Sequence, residues 1–444
     1  MVFPNFTQPV TACKPYMDLR KLLICFSILC YAFVCFLTCC RPSVALLILL
    51  YYVQIPIFAA MGCCFCRGDY FQRKYHLFYL AFILWIVLSN WLKGNIFPDN
   101  SSNFIFVKFC ALCGIALPFA HFLIDWERRN ILHAFLFPIL LVFACFLLLA
   151  FVALLQGSNI CIIPDWFEFG ATYTSTGRIM LKVLNLHYYH TGYLSTVCFF
   201  SCLYLAVSRW SSKSAPLWIL LLSIFTAGVF ITYSRTAVFS FIGGLLLAFH
   251  IFLQRTGINT KMRRLLFIGT ALVGFLITCT VMNIIYKAVH SIRDIWYGIA
   301  TLSSRTDIWR AALSALRDHP GILLHGFYPE QISPLVKSYL PDFGDLTHLH
   351  SGYLTTLFSV GLPGFVLVIT FCLYLCKCAY RLFIAPISET VRVSDKCLVL
   401  VPLVCLTMNL VESIAFFCLN EVELLNLLMM LFSGYVFEKV RTLS

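Results

Sequence analysis

Asn283-Ile284-Ile285 closes one apolar run, and Gly352-Tyr353-Leu354 opens the next. Between them lie Ser303-Ser304-Arg305-Thr306-Asp307-Ile308-Trp309 and Thr347-His348-Leu349-His350-Ser351. This is a polar insert, residues 285–350, in a chain that is otherwise almost all hydrocarbon. On either side the apolar runs are about 20 residues long, the length that crosses a bilayer as a helix. The pattern predicts an all-α, polytopic membrane protein with one large outer loop. A chain that keeps its other connections short and extends one is expected to use that one.

Composition agrees. Of the 444 residues 61% are hydrophobic and 11% charged, which excludes a soluble globular domain. The formal charge of +13 reads as topology rather than as nucleic-acid binding. We expect about 12 spans, near 22–40, 44–66, 77–92, 104–123, 131–155, 191–208, 216–233, 237–253, 265–284, 352–376, 397–415 and 422–437. With the N-terminus inside, the cytoplasmic connections hold Arg67/Arg73/Lys74, Arg128/Arg129, Arg209/Lys213, Arg255/Lys261/Arg263/Arg264 and Lys377/Arg381/Arg392/Lys396. That asymmetry puts both termini in the cytoplasm and the insert outside, with a smaller outer loop at 156–190. The whole chain, 1–444, reads as one integral membrane domain. The polar leader Met1 to Lys21 precedes an apolar stretch without a small-residue cleavage site, so the first span is expected to be retained.

The 22 cysteines fall mostly inside apolar runs, as at Cys198 and Cys202 or Cys372 and Cys376, where a thiol is a soft packing residue. Cys63-Cys64-Phe65-Cys66 lacks a second pair or a histidine at zinc spacing, so no metal and no cofactor is expected.

Within the insert, Ile308, Ala312, Leu313 and Leu316 recur at helical spacing, predicting an amphipathic helix on the membrane surface that stops near Pro320-Gly321. Basic and acidic side chains balance there, so an anion site must come from individually placed arginines. Arg305 begins this helix, as a phosphate grip or as a solvated charge. Arg235, in Thr232-Tyr233-Ser234-Arg235-Thr236, sits in an outer turn between spans, as a functional guanidinium or one snorkelling to headgroups. His350 starts the tenth span. The positive end of a helix disfavours imidazolium, which suits a general base, though an interfacial cap is the plainer reading. His348 competes for the same role. Glu412, near the outer end of the eleventh span, reads as an orienting carboxylate or as an interfacial one. Arg178, in the smaller loop, and Arg310 are weaker candidates for phosphate contacts. Gly361-Leu362-Pro363-Gly364 reads as close helix packing or a kink.

In this order, Tyr233-Ser234-Arg235-Thr236, then Ser304-Arg305-x3-Trp309, then His348-Leu349-His350-Ser351-x2-Leu354 with Gly361-x2-Gly364, the segments resemble the O-antigen ligase and polymerase superfamily of bacterial envelope glycosyltransferases. Ser351 stands where that signature usually has Asn. The resemblance implies a GT-C-like membrane architecture in the bacterial inner membrane. It also implies a donor glycan on undecaprenyl pyrophosphate and metal-independent transfer on the periplasmic face. The single dominant loop and the His-Leu-His form favour the ligase branch, whose acceptor is lipid A–core oligosaccharide. On that reading Arg235 and Arg305 hold the pyrophosphate and His350 is the base. Arg41-Pro42-Ser43, the first outer loop, has no acid for a divalent cation. The alternatives are an O-antigen polymerase or a protein O-oligosaccharyltransferase of the same superfamily. From another class comes a transporter or flippase, which would show repeats and midplane charges.

Overall fold

The computed structural model describes residues 74–93, 131–157, 159–163, 167–173, 179–184, 186, 188–232, 234–255, 262, 265–266, 268–270, 305–327, 329–340, 349–388, 391–412 and 423–443. They are mostly helical. In chain order the elements are α1 (Lys74–Leu92), α2 (Ile131–Gln156), β1 (Ile160–Ile163), β2 (Phe167–Tyr173), β3 (Ile179–Val183), α3 (Tyr188–Arg209), α4 (Ala215–Ile231) and α5 (Arg235–Leu253). Then follow α6 (Arg305–Asp318), α7 (Gly321–His325), α8 (Pro329–Lys337), α9 (Gly352–Ile384), α10 (Val393–Leu398), α11 (Leu400–Val411) and α12 (Glu423–Arg441).

Among the described residues, five helices are long and apolar enough to cross a membrane: Leu136–Gln156, Tyr189–Arg209, Arg235–Leu253, Gly352–Ile384 and Val393–Leu410. The protein is therefore a polytopic membrane protein. Helices α1, α4 and α12 also coincide with expected spans. The expected spans at 22–40, 44–66 and 104–123, and most of 265–284, lie outside the described residues, as does the Cys63 cluster.

The bundle packs largely through aromatic and aliphatic side chains. Phe143 stacks on Phe225 at 6.2 Å, Phe199 meets Phe241 edge-on at 4.7 Å, and Phe78 stacks on Phe371 at 4.9 Å. Hydroxyls inside the spans bond back to their own helix, as Ser195 does to the Thr191 carbonyl at 2.7 Å and Ser201 to the Val197 carbonyl at 2.9 Å. Cys198, Cys202 and Cys372 are buried packing residues, whereas Cys376 faces outward.

Two expectations are corrected. The fold is not purely helical, because residues of the smaller loop form a three-stranded antiparallel sheet in the order β1-β2-β3. Its signal is alternation: Phe167, Phe169, Ala171 and Tyr173 fall on one face of β2. Phe169 pairs with Val183 and Ala171 with Leu181, and the buried face of this ladder rests on α2, with Phe169 at 5.5 Å from Phe146.

The amphipathic helix exists as α6, but its stripe faces protein rather than the membrane surface. Ile308, Ala312, Ala315 and Leu316 are buried with Val336 of α8, Leu349 and Phe358 of α9 in a second small core. Leu313, five residues from Ile308, is rotated off that face and is exposed. The insert thus has a core of its own, completed by one helix of the bundle.

Candidate active site

The first residue of α6 and the last turn of α11 come together at one end of the bundle. The Arg305 guanidinium forms an ion pair with Glu412 Oε1. On the other side of the same carboxylate, His350 Nδ1 lies 3.1 Å from Oε2. A carboxylate only accepts, so in a neutral ring this contact puts the proton on Nδ1 and the lone pair on Nε2, the arrangement a general base needs. The Glu412 side chain is 7% exposed, whereas Arg305 and His350 keep 17% and 28%. The carboxylate is sealed inside, and its two partners retain edges toward the outside.

The backbone fixes these groups. At Glu412 the chain leaves the helix for an extended conformation, and its carbonyl accepts from Gly352 N–H at 3.0 Å. Glu412 therefore holds both the side chain of His350 and the start of α9. His350 itself has φ 50, a left-handed conformation that costs a non-glycine residue about 1 kcal/mol or more. It is held from the preceding residue, where Trp309 Nε1–H donates to the Leu349 carbonyl at 3.1 Å. Trp309 is one helical turn after Arg305, so a single face of α6 supplies both contacts. Ser351, the departure from the usual Asn, is the N-cap of α9 and accepts from Leu354 N–H at 3.4 Å. Serine caps a helix as well as asparagine does. Gly352 lies against the Asn409 side chain of α11 with no room for a Cβ.

Arg235 is the first residue of α5 and is half-buried. Helix α5 and the α10–α11 run lie side by side in opposite directions, Gln254 meeting Lys396 and Ser240 meeting Thr407 at 3.4 Å, so Arg235 lies toward the Glu412 end. The three principal candidates, Arg235, Arg305 and His350, therefore belong to one end of the bundle. Arg310 does not join them. It lies five residues beyond Arg305, on the outer face of α6, where it is 78% exposed and pairs with Asp307 at 3.2 Å. Arg178 and His348 lie outside the described residues.

The Gly361–Gly364 segment is a kink with a defined use. Gly361 has φ 69 and Gly326 φ 79, and the two backbones touch, a Cβ on Gly361 reaching the Leu324 carbonyl at 2.8 Å. Pro363 has no N–H for the Ser359 carbonyl. That carbonyl instead accepts from Lys93 Nζ at 3.0 Å. Trp85 Nε1–H donates to the Val360 carbonyl at 2.7 Å, Phe327 N–H to the Phe358 carbonyl at 2.6 Å, and Ser89 Oγ–H to the His325 carbonyl at 2.5 Å. Trp85, Ser89 and Lys93 recur every four residues, one face at the end of α1 that closes the kink and secures α7. Sequence reasoning missed this row, although its spacing was legible.

Residues 218–369 match the family model described as O-antigen ligase. The matched stretch runs from α4 into α9 and contains Arg235, Arg305 and His350. The resemblance to the O-antigen ligase/polymerase superfamily thus holds for this part of the chain. No curated protein matches the chain.

Proposed function

We propose, taking the O-antigen ligase match over residues 218–369 as the premise, that this membrane protein is an O-antigen ligase of the bacterial inner membrane. It would move a glycan from undecaprenyl pyrophosphate to lipid A–core oligosaccharide on the periplasmic face, without a metal. The acceptor hydroxyl oxygen bonds to the anomeric carbon and the bond to the pyrophosphate oxygen breaks, its electron pair leaving with undecaprenyl pyrophosphate. His350 Nε2 takes the hydroxyl proton, and Glu412 holds the ring in the tautomer that can do so. Arg235 and Arg305 bind the pyrophosphate and stabilise the charge that grows on it, a type of contact that contributes several kcal/mol to lowering a barrier. Such a leaving group needs no general acid, in keeping with Glu412 as the one carboxylate among the described residues that touches His350 and Arg305.

The observation that carries the reading is the contact of His350 and Arg305 on opposite oxygens of Glu412. The test is a lipopolysaccharide gel of a deletion strain. The wild-type chain restores polymer on lipid A–core, while His350→Ala and Arg305→Ala leave it on undecaprenol, with transfer down by about 10²-fold or more. Undiminished polymer on the core with either variant would sink the assignment, and inhibition of the purified protein by chelators would remove its metal independence.

One observation favours a second reading, an O-antigen polymerase. The smaller loop carries an ordered sheet, and polymerases of the superfamily resemble one another in having two outer loops of similar weight. The same gel separates them, because loss of a polymerase leaves single repeats on the core.

A further inference from the structure

Helix α6 reaches the His350–Glu412 pair from two directions. Arg305, its first residue, takes one oxygen of Glu412. Trp309, one turn later, reaches behind His350, where its Nε1–H donates to the Leu349 carbonyl at 3.1 Å. That carbonyl belongs to the peptide group whose nitrogen is that of His350. A peptide group is planar and rigid, so holding its oxygen also holds its nitrogen and thereby sets φ of His350. That φ is 50, in the left-handed region, where a residue other than glycine stays only while its surroundings hold it. Leu349 is held a second time, by a fully buried side chain that shares the second core with Ile308, the residue before Trp309. On the other side of His350, Ser351 is extended, with φ −158, and Gly352 N–H is bonded to the Glu412 carbonyl at 3.0 Å. Rotation of the Leu349–His350 peptide to an ordinary φ would swing the imidazole off Glu412 Oε2, now 3.1 Å from Nδ1.

We infer that Trp309 is a positioning residue for the proton transfer. Through the Leu349–His350 peptide it keeps the imidazole on Glu412, and with Arg305 one turn away it makes α6 the element that registers the base to the donor grip. The inference rests on the reaction proposed above, in which His350 is the base and Arg305 holds the donor. It places the effect of Trp309 on kcat rather than on donor binding, because the Arg305–Glu412 contact does not pass through the indole.

The test uses the full chain in lipid nanodiscs. Trp309→benzothienylalanine keeps the shape of the indole, which packs partly buried on the second core, and has no N–H. Two readouts are taken: transfer at varied donor concentration, and the ring-nitrogen magnetic resonance signals of isotope-labelled histidine. The His350 signal is identified as the one missing from His350→Ala. The kcat is expected to fall about three- to tenfold, the loss of roughly one hydrogen bond, with donor KM and melting temperature near wild type. The His350 Nδ1–H signal, set in the wild type by its bond to Glu412, moves toward that of a free imidazole. In a His350→Ala background the same replacement causes no further fall, because Trp309 acts through that residue. Trp309→Phe gives the same split between kcat and KM, and Leu313→Ala, an exposed side chain on the same helix, changes neither readout. An unchanged His350 signal overturns the inference, as does an unchanged kcat, a fall that persists in the His350→Ala background, or one carried by KM. A shifted signal where the wild-type protein has no transfer activity retains the positioning of His350 by Trp309 and rejects the ligase reading. A wild-type His350 whose Nδ1–H signal is already that of a free imidazole rejects both.

Discussion

The helical run from Val393 to Val411 has a buried carboxylate at each end, and the two ends are put to different uses. Asp395 and Glu412 are 17 residues apart, about 25 Å along a helix, close to the thickness of a bilayer's hydrocarbon. Asp395 is fully enclosed. It accepts from Tyr435 O–H at 2.8 Å, Arg392 N–H at 2.9 Å and Lys439 Nζ at 3.0 Å. Beside it Lys396, also fully buried, donates to Gln254 Oε1 and to the Phe383 and Ala385 carbonyls. The half-exposed Arg392 guanidinium also pairs with Asp395, at 3.7 Å, and the partners from neighbouring helices tie α5, α9, α10 and α12 together. At the other end the partners of Glu412 come from the insert and keep an outward-facing edge. A buried charge is therefore not by itself a sign of chemistry. What distinguishes the two ends is where the partners come from: the helices of the bundle hold Asp395, and the insert holds Glu412.

That contrast predicts two separable phenotypes. Glu412→Gln retains the size of the side chain and removes the charge that sets the His350 tautomer. Transfer is expected to fall by about 10²- to 10⁴-fold, as for the loss of an orienting acid elsewhere. The melting temperature moves little, because Arg305 and His350 are partly solvated. Asp395→Asn should do the reverse. It breaks the ion pair and hydrogen bonds made by a fully enclosed carboxylate, costing about 3 kcal/mol of stability. Melting temperature and membrane yield fall, while the protein that remains keeps its donor KM. An Asp395→Asn protein with normal melting and a raised KM would break the distinction between the ends.

A smaller effect is expected where the insert meets the bundle. Gly361→Ala places a Cβ on a left-handed residue and against the Leu324 carbonyl, at a cost of about 1–3 kcal/mol. The second core includes Phe358 and Leu349, so loosening this joint frees the insert from α9. Limited proteolysis should cut between α6 and α8 faster than in wild type, with cleavage elsewhere unchanged. Uniformly faster cleavage would show that the kink supports the bundle rather than the insert.

The membrane class and the main candidates were legible because each had a chemical reason independent of its neighbours. Apolar runs of span length announce helices, and an arginine at the edge of hydrocarbon is costly wherever it lies. Glu412 was legible only as an option, since its meaning depends on Arg305, 107 residues away. The spacing Ile308, Ala312, Leu316 gave the buried face of α6 but not what covers it. An apolar stripe packs equally well on lipid or on Val336 and Phe358, and sequence periodicity does not tell them apart. The sheet was hidden in plain alternation, overshadowed by the helices on either side.

The mildest test concerns Lys93, the far end of the row that closes the kink. Burial lowers its ammonium from 10.5 to about 8. The folded value is below the unfolded one, so between about pH 8 and 10.5 the unfolded chain holds a proton that the folded chain has released. Stability should rise with pH through that window, and below pH 8 the full cost of the buried charge is present. Lys93→Met keeps the apolar stem and cannot titrate. The melting temperature of wild type minus that of the variant should therefore increase from pH 8 toward pH 10.5, on top of a constant loss from the hydrogen bond to the Ser359 carbonyl. A difference that is flat across the window would mean that the ammonium reaches water, and that the outer joint, unlike the Asp395 end, is solvated rather than sealed.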